Sequence, residues 1–327
     1  MGKSARKDSQ IMPLPFTLAP ESVPIQPVND PQYEAAGVQL WVKREDLIHP
    51  QVSGNKWRKL KYPLLEAQAQ GHAQILTFGG AYSNHLLAVA AAGEQMGFRT
   101  VGVVRGERAE TLSPTLVACE DLGMQLHFVS RQAYKQRAEP AYQQQLVEIL
   151  GTSYIIPEGG TNLQALQGVA EVWDSVPQAF DLVVTMVGTG GTLAGLAMQA
   201  PRATSLLGIM ALKGYEDTME MEIQGLLRET TGFFPSAGNW RLEHDAHHGG
   251  YAKASPDLVA FVQEWPARHG FLLDPVYTGK LFYYLHHRIC AGYFPRGMRI
   301  LAIHTGGLQG IAGWNQRQAI KLPTEVQ

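Results

Sequence analysis

The chain has 327 residues, of which 45% are hydrophobic, and its 27 basic and 29 acidic side chains give a formal net charge of -2. This length and composition predict a globular protein with a large core divided between two packed subdomains. Because the charges nearly balance, nothing in the composition points to a nucleic acid or a membrane surface as a partner. The two cysteines, Cys119 and Cys290, form no CxxC pair, which argues against a disulfide framework and a zinc ribbon.

The N-terminal segment is basic and has no apolar stretch of the kind that a secretory signal peptide needs. We therefore expect a protein of the reducing cytoplasm. The uncharged stretch from Leu182 to Pro201 is long enough to raise the question of a membrane helix, but four glycines interrupt it. A buried strand, a glycine loop and a helix explain this stretch better.

From residue 74 onward, short apolar segments alternate with helical patterns, which predicts parallel strands joined by right-handed crossovers. Four segments in the first half of the chain have the length of buried strands: Gln74–Phe78, Thr100–Val104, Gln125–Val129 and Tyr154–Ile156. Helical patterns lie between them: Asn84–Met96, Ser113–Leu122 and Glu139–Leu150. Ser83 is the expected N-cap of the first of these helices, and Gly97 is its expected stop.

The same alternation continues after residue 160. The predicted strands are Leu182–Met186, Leu206–Met210 and Ile300–His304. The predicted helices are Leu163–Val176, Leu193–Gln199, Met221–Thr230, Pro256–Arg268, Lys280–Ala291 and Leu308–Arg317. The segment from Phe233 to Ala254 is rich in Gly, Pro, His and Trp, and we expect it to form a long surface loop. The whole pattern predicts an α/β fold of two packed domains that share a cleft.

Lys56 stands out because of its neighbours, since it directly follows Ser53-Gly54-Asn55. A lysine taken alone is most often solvated. Here the flexible polar surroundings, together with glycine-rich segments later in the chain, favour an amine that forms a Schiff base with an aldehyde cofactor. Such a lysine reacts as the neutral amine, and partial burial would lower its pKa.

The loop Gly188-Thr189-Gly190-Gly191-Thr192 follows an apolar strand and precedes a helix. Its glycines allow close approach of the backbone. Its N–H groups, the helix N-terminus and two threonine hydroxyls could therefore hold a phosphate dianion. The pattern also resembles a dinucleotide-binding loop, which would want an acidic residue about 20 residues further on at a strand end. Glu216 comes late and in a loop, so we favour a phosphate monoester over a dinucleotide.

Ser83, Asn84 and His85 lie at a predicted strand-to-helix junction, after Gly79-Gly80. Capping accounts for Ser83, but it does not account for three consecutive polar groups behind two glycines. A free helix N-terminus at this place suits the carboxylate of a substrate.

Two other kinds of site find no support in the sequence. The histidines that cluster in the second half have no acidic or cysteine partner that completes a metal site, so we interpret them as loop residues: His244, His247 and His248. The chain also has no GxSxG motif, so no serine-hydrolase triad can be deduced.

Seven motifs, in this order, resemble those of fold-type II pyridoxal-phosphate enzymes, which have the fold of the tryptophan synthase β subunit. They are most similar to the family of D-cysteine desulfhydrase and 1-aminocyclopropane-1-carboxylate deaminase. The resemblance extends from about residue 12 to about residue 315. The motifs are Lys43-Arg44-Glu45-Asp46, Ser53-Gly54-Asn55-Lys56-Trp57-Arg58-Lys59, Gly80 with Ser83-Asn84-His85, Pro157-Glu158-Gly159-Gly160-Thr161-Asn162, Gly188–Thr192 with Ala194-Gly195, Asp274-Pro275-Val276-Tyr277-Thr278-Gly279-Lys280, and His304-Thr305-Gly306-Gly307.

The resemblance implies pyridoxal 5'-phosphate as the cofactor, a small amino acid as the substrate, and a homodimer. It implies open, twisted, mostly parallel sheets with helices on both faces. The large cofactor-binding domain would consist of residues 1–58 and 165–327, and the small α/β domain would consist of residues 59–164.

The resemblance also implies roles around the cofactor. Lys56 would bind it covalently, and Gly188–Thr192 would hold its phosphate. Asn84 would bond the phenolic oxygen of the ring, Tyr277 would pack on or near the ring, and Thr305 would contact the cofactor as well.

For the substrate, the resemblance implies that Ser83, Asn84 and His85 face it, with Ser83 acting as a catalytic hydroxyl beside Lys56. Tyr277 would also be catalytic. Tyr251 is the nearest match to a second tyrosine that family members place in the active site, and it would contact the substrate.

The choice of substrate depends on two positions. Deaminase members of the family carry Glu after the Tyr of the DPVY motif and Leu before the final Gly-Gly, whereas this chain has Thr278 and Thr305 there. A carboxylate at the ring nitrogen would strengthen the electron sink that ring opening demands, and a neutral hydroxyl would not. These residues therefore resemble the desulfhydrase.

The expected reaction is β-elimination from D-cysteine. The substrate would displace Lys56 from the cofactor, and Lys56 or a hydroxyl relay would take the α-proton. Hydrosulfide would then leave, and hydrolysis would give pyruvate and ammonia. Two alternatives stay open at this point: the ring-opening deaminase or a lyase for another small amino acid, and a nucleotide-binding oxidoreductase or ligand-binding protein on a similar frame.

Overall fold

The structure is a computed structural model, and it describes residues 20–215, 218–231 and 239–326. Its strands, in chain order, are β1 (Ile25–Pro27), β2 (Gln39–Lys43), β3 (Gln74–Gly79), β4 (Arg99–Arg105), β5 (Gln125–Val129), β6 (Tyr154–Ile156), β7 (Leu182–Val187), β8 (Ser205–Met210), β9 (Trp240–Glu243) and β10 (Arg299–Ile303). Its α-helices are α1 (Pro31–Ala36), α2 (Asn55–Ala69), α3 (Asn84–Met96), α4 (Pro114–Asp121), α5 (Arg131–Tyr134), α6 (Pro140–Leu150), α7 (Leu163–Ala170), α8 (Gly191–Gln199), α9 (Met219–Thr231), α10 (Pro256–His269), α11 (Thr278–Cys290) and α12 (Gly310–Arg317).

The strands form two separate sheets. The larger sheet has the order β1-β2-β10-β7-β8-β9, and all of its pairs are parallel except β1 with β2. The smaller sheet has the order β5-β4-β3-β6 and is parallel throughout. Strands β3 and β7 are buried along their whole length. This is the burial expected of parallel strands that helices cover on both faces.

The predicted fold class is confirmed, and the predicted strands and helices lie within a few residues of those observed. Ser83 caps α3 by accepting a hydrogen bond from the Leu86 amide, and Gly97 ends the helix in the left-handed region at φ 75°. The helix predicted at Leu163–Val176 ends at Ala170 and continues as a 3-10 helix. The two domain ranges stay a prediction, and their boundary after Arg58 lies inside α2.

One prediction is wrong in part. The segment from Phe233 to Ala254 is not a loop throughout, because Trp240–Glu243 forms β9 and pairs with β8 at the edge of the larger sheet. Trp240 is 9% exposed and packs into the core, which gives this short segment its place in the sheet. Residues 232–238 lie outside the described part of the chain.

The ends of the parallel strands position the candidate site. Loops that follow the carboxyl ends of strands in both sheets line one cavity, as is usual for open parallel sheets. Among the described helices, none is both long and apolar enough to cross a membrane.

Candidate active site

The cavity between the two sheets has a volume of about 960 Å³. This is at the upper end of the roughly 300–1,000 Å³ that small-molecule sites occupy. All the sequence-predicted site residues line it except Gly191, whose position is set by the helix that it begins. The cavity therefore has room for a cofactor and a small substrate together.

Lys56 lies in the first turn of α2, and its ammonium nitrogen is 3.4 Å from the carbonyl oxygen of Gly159. Burial lowers its pKa to about 8. At neutral pH a fraction of the molecules therefore has Lys56 as the neutral amine. This is the form that attacks a carbonyl carbon.

A second lysine, Lys59, lies one turn further along the same helix and is 2% exposed. Its Nζ donates to the carbonyl of Gly159 at 3.3 Å and to the hydroxyl of Thr161 at 3.1 Å, and it is 3.5 Å from the hydroxyl of Thr189. Burial, and then the charge of Lys56, lower the pKa of Lys59 well below its usual value. Neither lysine forms a salt bridge with a described carboxylate, so the pair is suited to an anionic ligand.

The glycine loop lies beside this lysine. Residues 188–190 follow β7, and Gly190 turns the chain into α8 with φ 77°. A Cβ on Gly191 would lie 3.0 Å from Lys59 Nζ and 2.7 Å from the Thr161 hydroxyl. Asn55 donates to the hydroxyl of Thr192 at 2.9 Å. Backbone, hydroxyls and a buried cation thus surround one small space, which suits a phosphate dianion.

Ser83, Asn84 and His85 lie at the start of α3 and line the same cavity. The side-chain oxygen of Asn84 is buried and has no hydrogen-bond partner among the described residues. Such a group is costly to leave unpaired, which indicates that a ligand supplies its partner.

His85 is held in one tautomer. Its Nε2 is 2.8 Å from the hydroxyl of Thr77, and that hydroxyl donates its own proton to the carbonyl of Ile156 at 2.7 Å. The hydroxyl therefore accepts from Nε2–H, which leaves Nδ1 as a lone-pair acceptor. Nδ1 is buried and has no partner among the described residues. Burial, followed by the charges of Lys56 and Lys59, lowers the pKa of His85 well below its usual value, so the ring is neutral.

Tyr277 and Tyr251 form one wall. Their rings meet edge to face with centroids 6.1 Å apart. A Cβ on Gly188 would lie 3.7 Å from the Tyr277 ring, so this ring packs against the start of the glycine loop. Burial, followed by the neighbouring Tyr251, raises the pKa of Tyr277 well above its usual value and keeps its hydroxyl protonated. The sequence left open whether Tyr251 reaches the cavity, and the structure places it there.

The Tyr251 loop is fastened by a buried lysine. Lys280 is fully buried, its Nζ donates to the carbonyl of Gly250 at 2.8 Å, and burial lowers its pKa to about 8.

Thr305 and Thr278 occupy different environments. Thr305 is 7% exposed and lines the cavity. Thr278 is fully buried and is not part of the lining, because its hydroxyl donates to the Asp274 carboxylate at 2.8 Å and accepts from the Asp274 amide at 2.9 Å. Of the two threonines that distinguish this sequence from deaminases, Thr305 is therefore the one that can meet a ligand.

Buried ion pairs fix the elements that carry these residues. Glu45 binds Arg58 of α2 through both carboxylate oxygens, at 2.9 and 3.0 Å, and lies 3.5 Å from Lys43. Asp46 binds Arg44 at 2.7 Å and lies 3.3 Å from His304. The charged motif before Lys56 thus holds α2 and the loop after β10 in place.

Sequence reasoning missed Lys59 and Thr161 as site residues. Both belong to motifs that were recognised, but α2 was not predicted as a helix. The signal was the three-residue spacing between Lys56 and Lys59, which places both on one face of a helix.

The clustered histidines lie elsewhere. His248 packs on Tyr283 and lies 3.0 Å from the hydroxyl of Ser255, and His244 is 3.9 Å from Glu220. Within the described ranges, no group of three or more His, Cys, Asp or Glu side chains is arranged to hold a metal ion. Glu216, the acidic residue weighed for a dinucleotide loop, lies outside those ranges.

Comparisons with known sequences agree with this geometry. The model of the family described as "Pyridoxal-phosphate dependent enzyme" matches residues 17–306. A putative 1-aminocyclopropane-1-carboxylate deaminase of Pyrococcus furiosus is 32% identical over 90% of this chain and 92% of its own length. A bifunctional D-cysteine desulfhydrase/1-aminocyclopropane-1-carboxylate deaminase of Arabidopsis thaliana is 31% identical over 93% of this chain and 81% of its own. D-Cysteine desulfhydrase of Serratia proteamaculans is 27% identical over 85% and 89%.

Solved structures show the same fold. A crystal structure of a homologue of 1-aminocyclopropane-1-carboxylate deaminase superposes with a TM-score of 0.77 at 28% identity, covering 92% of both chains. A threonine deaminase from Solanum lycopersicum superposes with a TM-score of 0.62 at 16% identity, covering 87% of this chain and 79% of its own, which indicates a shared fold.

Proposed function

The chain belongs to the pyridoxal-phosphate dependent enzyme family, as a lyase of the group that holds 1-aminocyclopropane-1-carboxylate deaminases and D-cysteine desulfhydrases, and from this premise we propose that it eliminates the β-substituent of a small amino acid, with D-cysteine as the substrate. The products would be pyruvate, ammonia and hydrogen sulfide. The domain ranges, the individual site roles, a homodimer and a cytoplasmic location remain proposals alongside this reaction.

The residues present fit pyridoxal 5'-phosphate. Lys56 offers a buried amine whose pKa of about 8 suits bonding to an aldehyde. Lys59, the hydroxyls of Thr189 and Thr192 and the start of α8 surround a space for a phosphate. The unpaired side-chain oxygen of Asn84 needs a hydrogen-bond donor, which a phenolic hydroxyl on the ring would supply. When bound there, the cofactor would supply an electron sink for the carbanion at Cα.

The chain's own residues supply the rest of the chemistry. The N-terminus of α3, with the hydroxyl of Ser83 and the Nδ1 acceptor of His85, would orient the carboxylate and amino groups of the substrate. Lys56 would take the proton from Cα, because its lowered pKa makes the neutral amine available. The protonated hydroxyls of Tyr277 and Tyr251 lie on the wall where a leaving group could be received.

The choice of D-cysteine rests on the two threonines. Thr278 stands where deaminases carry a carboxylate and Thr305 stands where they carry leucine, and the nearby Asp274 carboxylate is already engaged by the amides of Val276, Tyr277 and Thr278 at 2.8 Å. A neutral partner for the ring nitrogen gives a weaker electron sink. Elimination tolerates this, because the departing thiolate carries an electron pair away. The deaminase is the second candidate, because relatives with 30–32% identity bear that name.

Absorption spectroscopy of the purified protein tests the proposal first. Supplied with pyridoxal 5'-phosphate, the wild type should show the visible band of a lysine-bound cofactor, and D-cysteine should change the band while pyruvate accumulates. Lys56→Ala should lack the band and release little pyruvate. 2-Oxobutanoate formed from 1-aminocyclopropane-1-carboxylate at a comparable rate would favour the deaminase instead. A protein that shows no band with the cofactor, or a Lys56→Ala variant as active as the wild type, would contradict the proposal.

A further inference from the structure

The cavity carries more positive charge than a substrate with a neutral side chain would need. Eight lysines and arginines contribute to its lining, against two acidic residues, Glu158 and Glu222, among the described residues. A phosphate dianion beside Lys59 and one α-carboxylate at the start of α3 would balance only part of this excess.

Arg105 is an exposed member of this basic lining. It ends β4, at the carboxyl edge of the smaller sheet, and it lines the cavity. Its Nη2 lies 3.6 Å from the position that a Cβ on Gly80 would take, and its guanidinium lies over the ring of Tyr134 at 5.8 Å. Gly80 begins the turn into Ser83, so Arg105 stands beside the loop that would receive the substrate.

The neighbouring Arg137 differs from Arg105 because it is paired with a carboxylate. Its Nε donates to Glu158 at 2.6 Å, and the other carboxylate oxygen of Glu158 accepts from the Tyr134 hydroxyl at 2.8 Å. This carboxylate is therefore fully engaged. In the described part of the chain, no carboxylate forms a salt bridge with Arg105, or with Arg131 and Lys135, which line the same side of the cavity.

We propose that the natural substrate carries a full negative charge on its β-substituent, and that Arg105 binds this second anionic group. The inference rests on the proposed function and narrows its substrate class. A sulfonate and a phosphate ester carry such a charge at neutral pH, and the thiol of D-cysteine carries it once it is deprotonated. The planar fork of an arginine suits oxyanions in particular, because it can donate two parallel hydrogen bonds.

The chemistry balances for such a substituent. With β-sulfoalanine, the Cα–H and Cβ–S bonds break, the proton passes to Lys56, and sulfite leaves with the electron pair of the Cβ–S bond. Addition of one water then gives pyruvate and ammonia, and no oxidant or reductant is needed. Arg105 would bind the charge that the sulfonate already carries before the Cβ–S bond breaks.

A binding measurement separates the effect of the charge on the β-substituent from the effect of its size and shape. Aspartate and asparagine are nearly isosteric, share the α-carboxylate and differ in the charge at the β-position. Titration of the holoenzyme with each enantiomer, followed by its visible absorption, should show that the wild type binds aspartate roughly tenfold or more tightly than asparagine. Arg105→Met should lose this preference. Arg108→Met is the matched control and should keep it, because Arg108 pairs with Glu120 at 2.9 Å outside the cavity.

Steady-state kinetics with two substrates provide the second test of the role of Arg105. In Arg105→Met, kcat/KM for β-sulfoalanine should fall by roughly tenfold or more, whereas kcat/KM for β-chloroalanine, whose leaving group is neutral in the substrate, should stay within about twofold. Equal binding of aspartate and asparagine by the wild type, or an unchanged preference in Arg105→Met, would overturn the inference.

The two proposals fail in different ways. Pyruvate from β-chloroalanine without any preference for charged ligands would leave the elimination standing and reject the role of Arg105. Preferential binding of aspartate without pyruvate from any β-substituted amino acid would reject the elimination, and with it the anionic leaving group.

Discussion

Lys56 and Lys59 lie one turn apart on α2, and their ammonium groups approach the same carbonyl oxygen, that of Gly159, at 3.4 and 3.3 Å. The two lysines differ in what else they touch. Lys59 contacts the threonine hydroxyls of the proposed phosphate space, whereas Lys56 has the Gly159 carbonyl as its hydrogen-bond partner in the described structure. On the proposed assignment, one helix would provide both the amine that bonds to the cofactor and a cation for its phosphate.

Lys59→Met should separate these two functions. We expect the dissociation constant of pyridoxal 5'-phosphate to rise roughly tenfold to a hundredfold, because a hydrogen bond to a charged group contributes about 1.5–3 kcal/mol. The visible band should still form at saturating cofactor, since Lys56 is intact. Titration of the cofactor-free protein measures both. Lys61→Met is the control on the same helix, because Lys61 binds Glu171 at 2.6 Å outside the cavity. Unchanged affinity in Lys59→Met would contradict the assignment.

Gly54→Ala should damage both stability and cofactor binding. Gly54 has φ 59°, and a methyl group there would overlap the carbonyl of Thr305. The backbone strain alone costs about 1–3 kcal/mol, and the overlap would push the Thr305 loop away from α2. Urea unfolding and cofactor titration measure the two effects. Gly71→Ala isolates the backbone cost, because Gly71 has φ 75° with nothing within 4 Å of the added carbon. Equal behaviour of the two variants would reject the close contact.

Thr305→Val and Thr278→Val should give opposite results. The first should lower kcat/KM for elimination while the melting temperature stays nearly unchanged, because Thr305 faces the cavity. The second should lower the melting temperature, because two hydrogen bonds between Thr278 and the fully buried Asp274 are lost. Calorimetry and steady-state kinetics on both variants check the contrast. A strong loss of stability in Thr305→Val would show that its hydroxyl serves the fold.

Lys280 should make stability depend on pH. Burial lowers its pKa from 10.5 to about 8, so the unfolded chain binds more protons than the folded chain between these values. The free energy of unfolding should therefore rise with pH across this window, whereas below it Lys280 adds a constant penalty and no pH dependence. In Lys280→Met the slope should be shallower, by at most about 1.4 kcal/mol per pH unit. Urea unfolding at several pH values between 8 and 9.5 measures it, with the exposed Lys321→Met as the control. Identical slopes would contradict a buried, partly neutral Lys280.

The sequence predicts the central strands well because they are buried on both sides. Leu182–Val187 is apolar at nearly every position, and the glycine loop after it marks where the strand ends. Helix α2 was missed although its buried apolar residues recur at helical spacing: Trp57, Leu60, Leu64 and Ala67. It starts in a polar turn and contains Pro63, and both features argue against a helix in the sequence.

The candidate site was likewise predictable from the sequence only in part. Lys56 and Gly188–Thr192 could be proposed as site residues from the chemistry of their residue types and their place beside glycines. Lys59 could not, because its role depends on the helix that aligns it with Lys56. The environment of Thr278 could not be identified either, since the hydrogen bonds to Asp274 that turn its hydroxyl away depend on how α11 begins.

The paired lysines also bear on how long the protein survives in a cell. Two desolvated ammonium groups lie at one carbonyl with no salt bridge to a described carboxylate, and on the proposed assignment they would destabilise the chain until the cofactor's phosphate binds beside them. Cofactor binding then stabilises the folded state by mass action. Molecules that lack vitamin B6-derived cofactor would open more often and reach proteases sooner, so the supply of the vitamin would set the abundance of the enzyme as well as its activity.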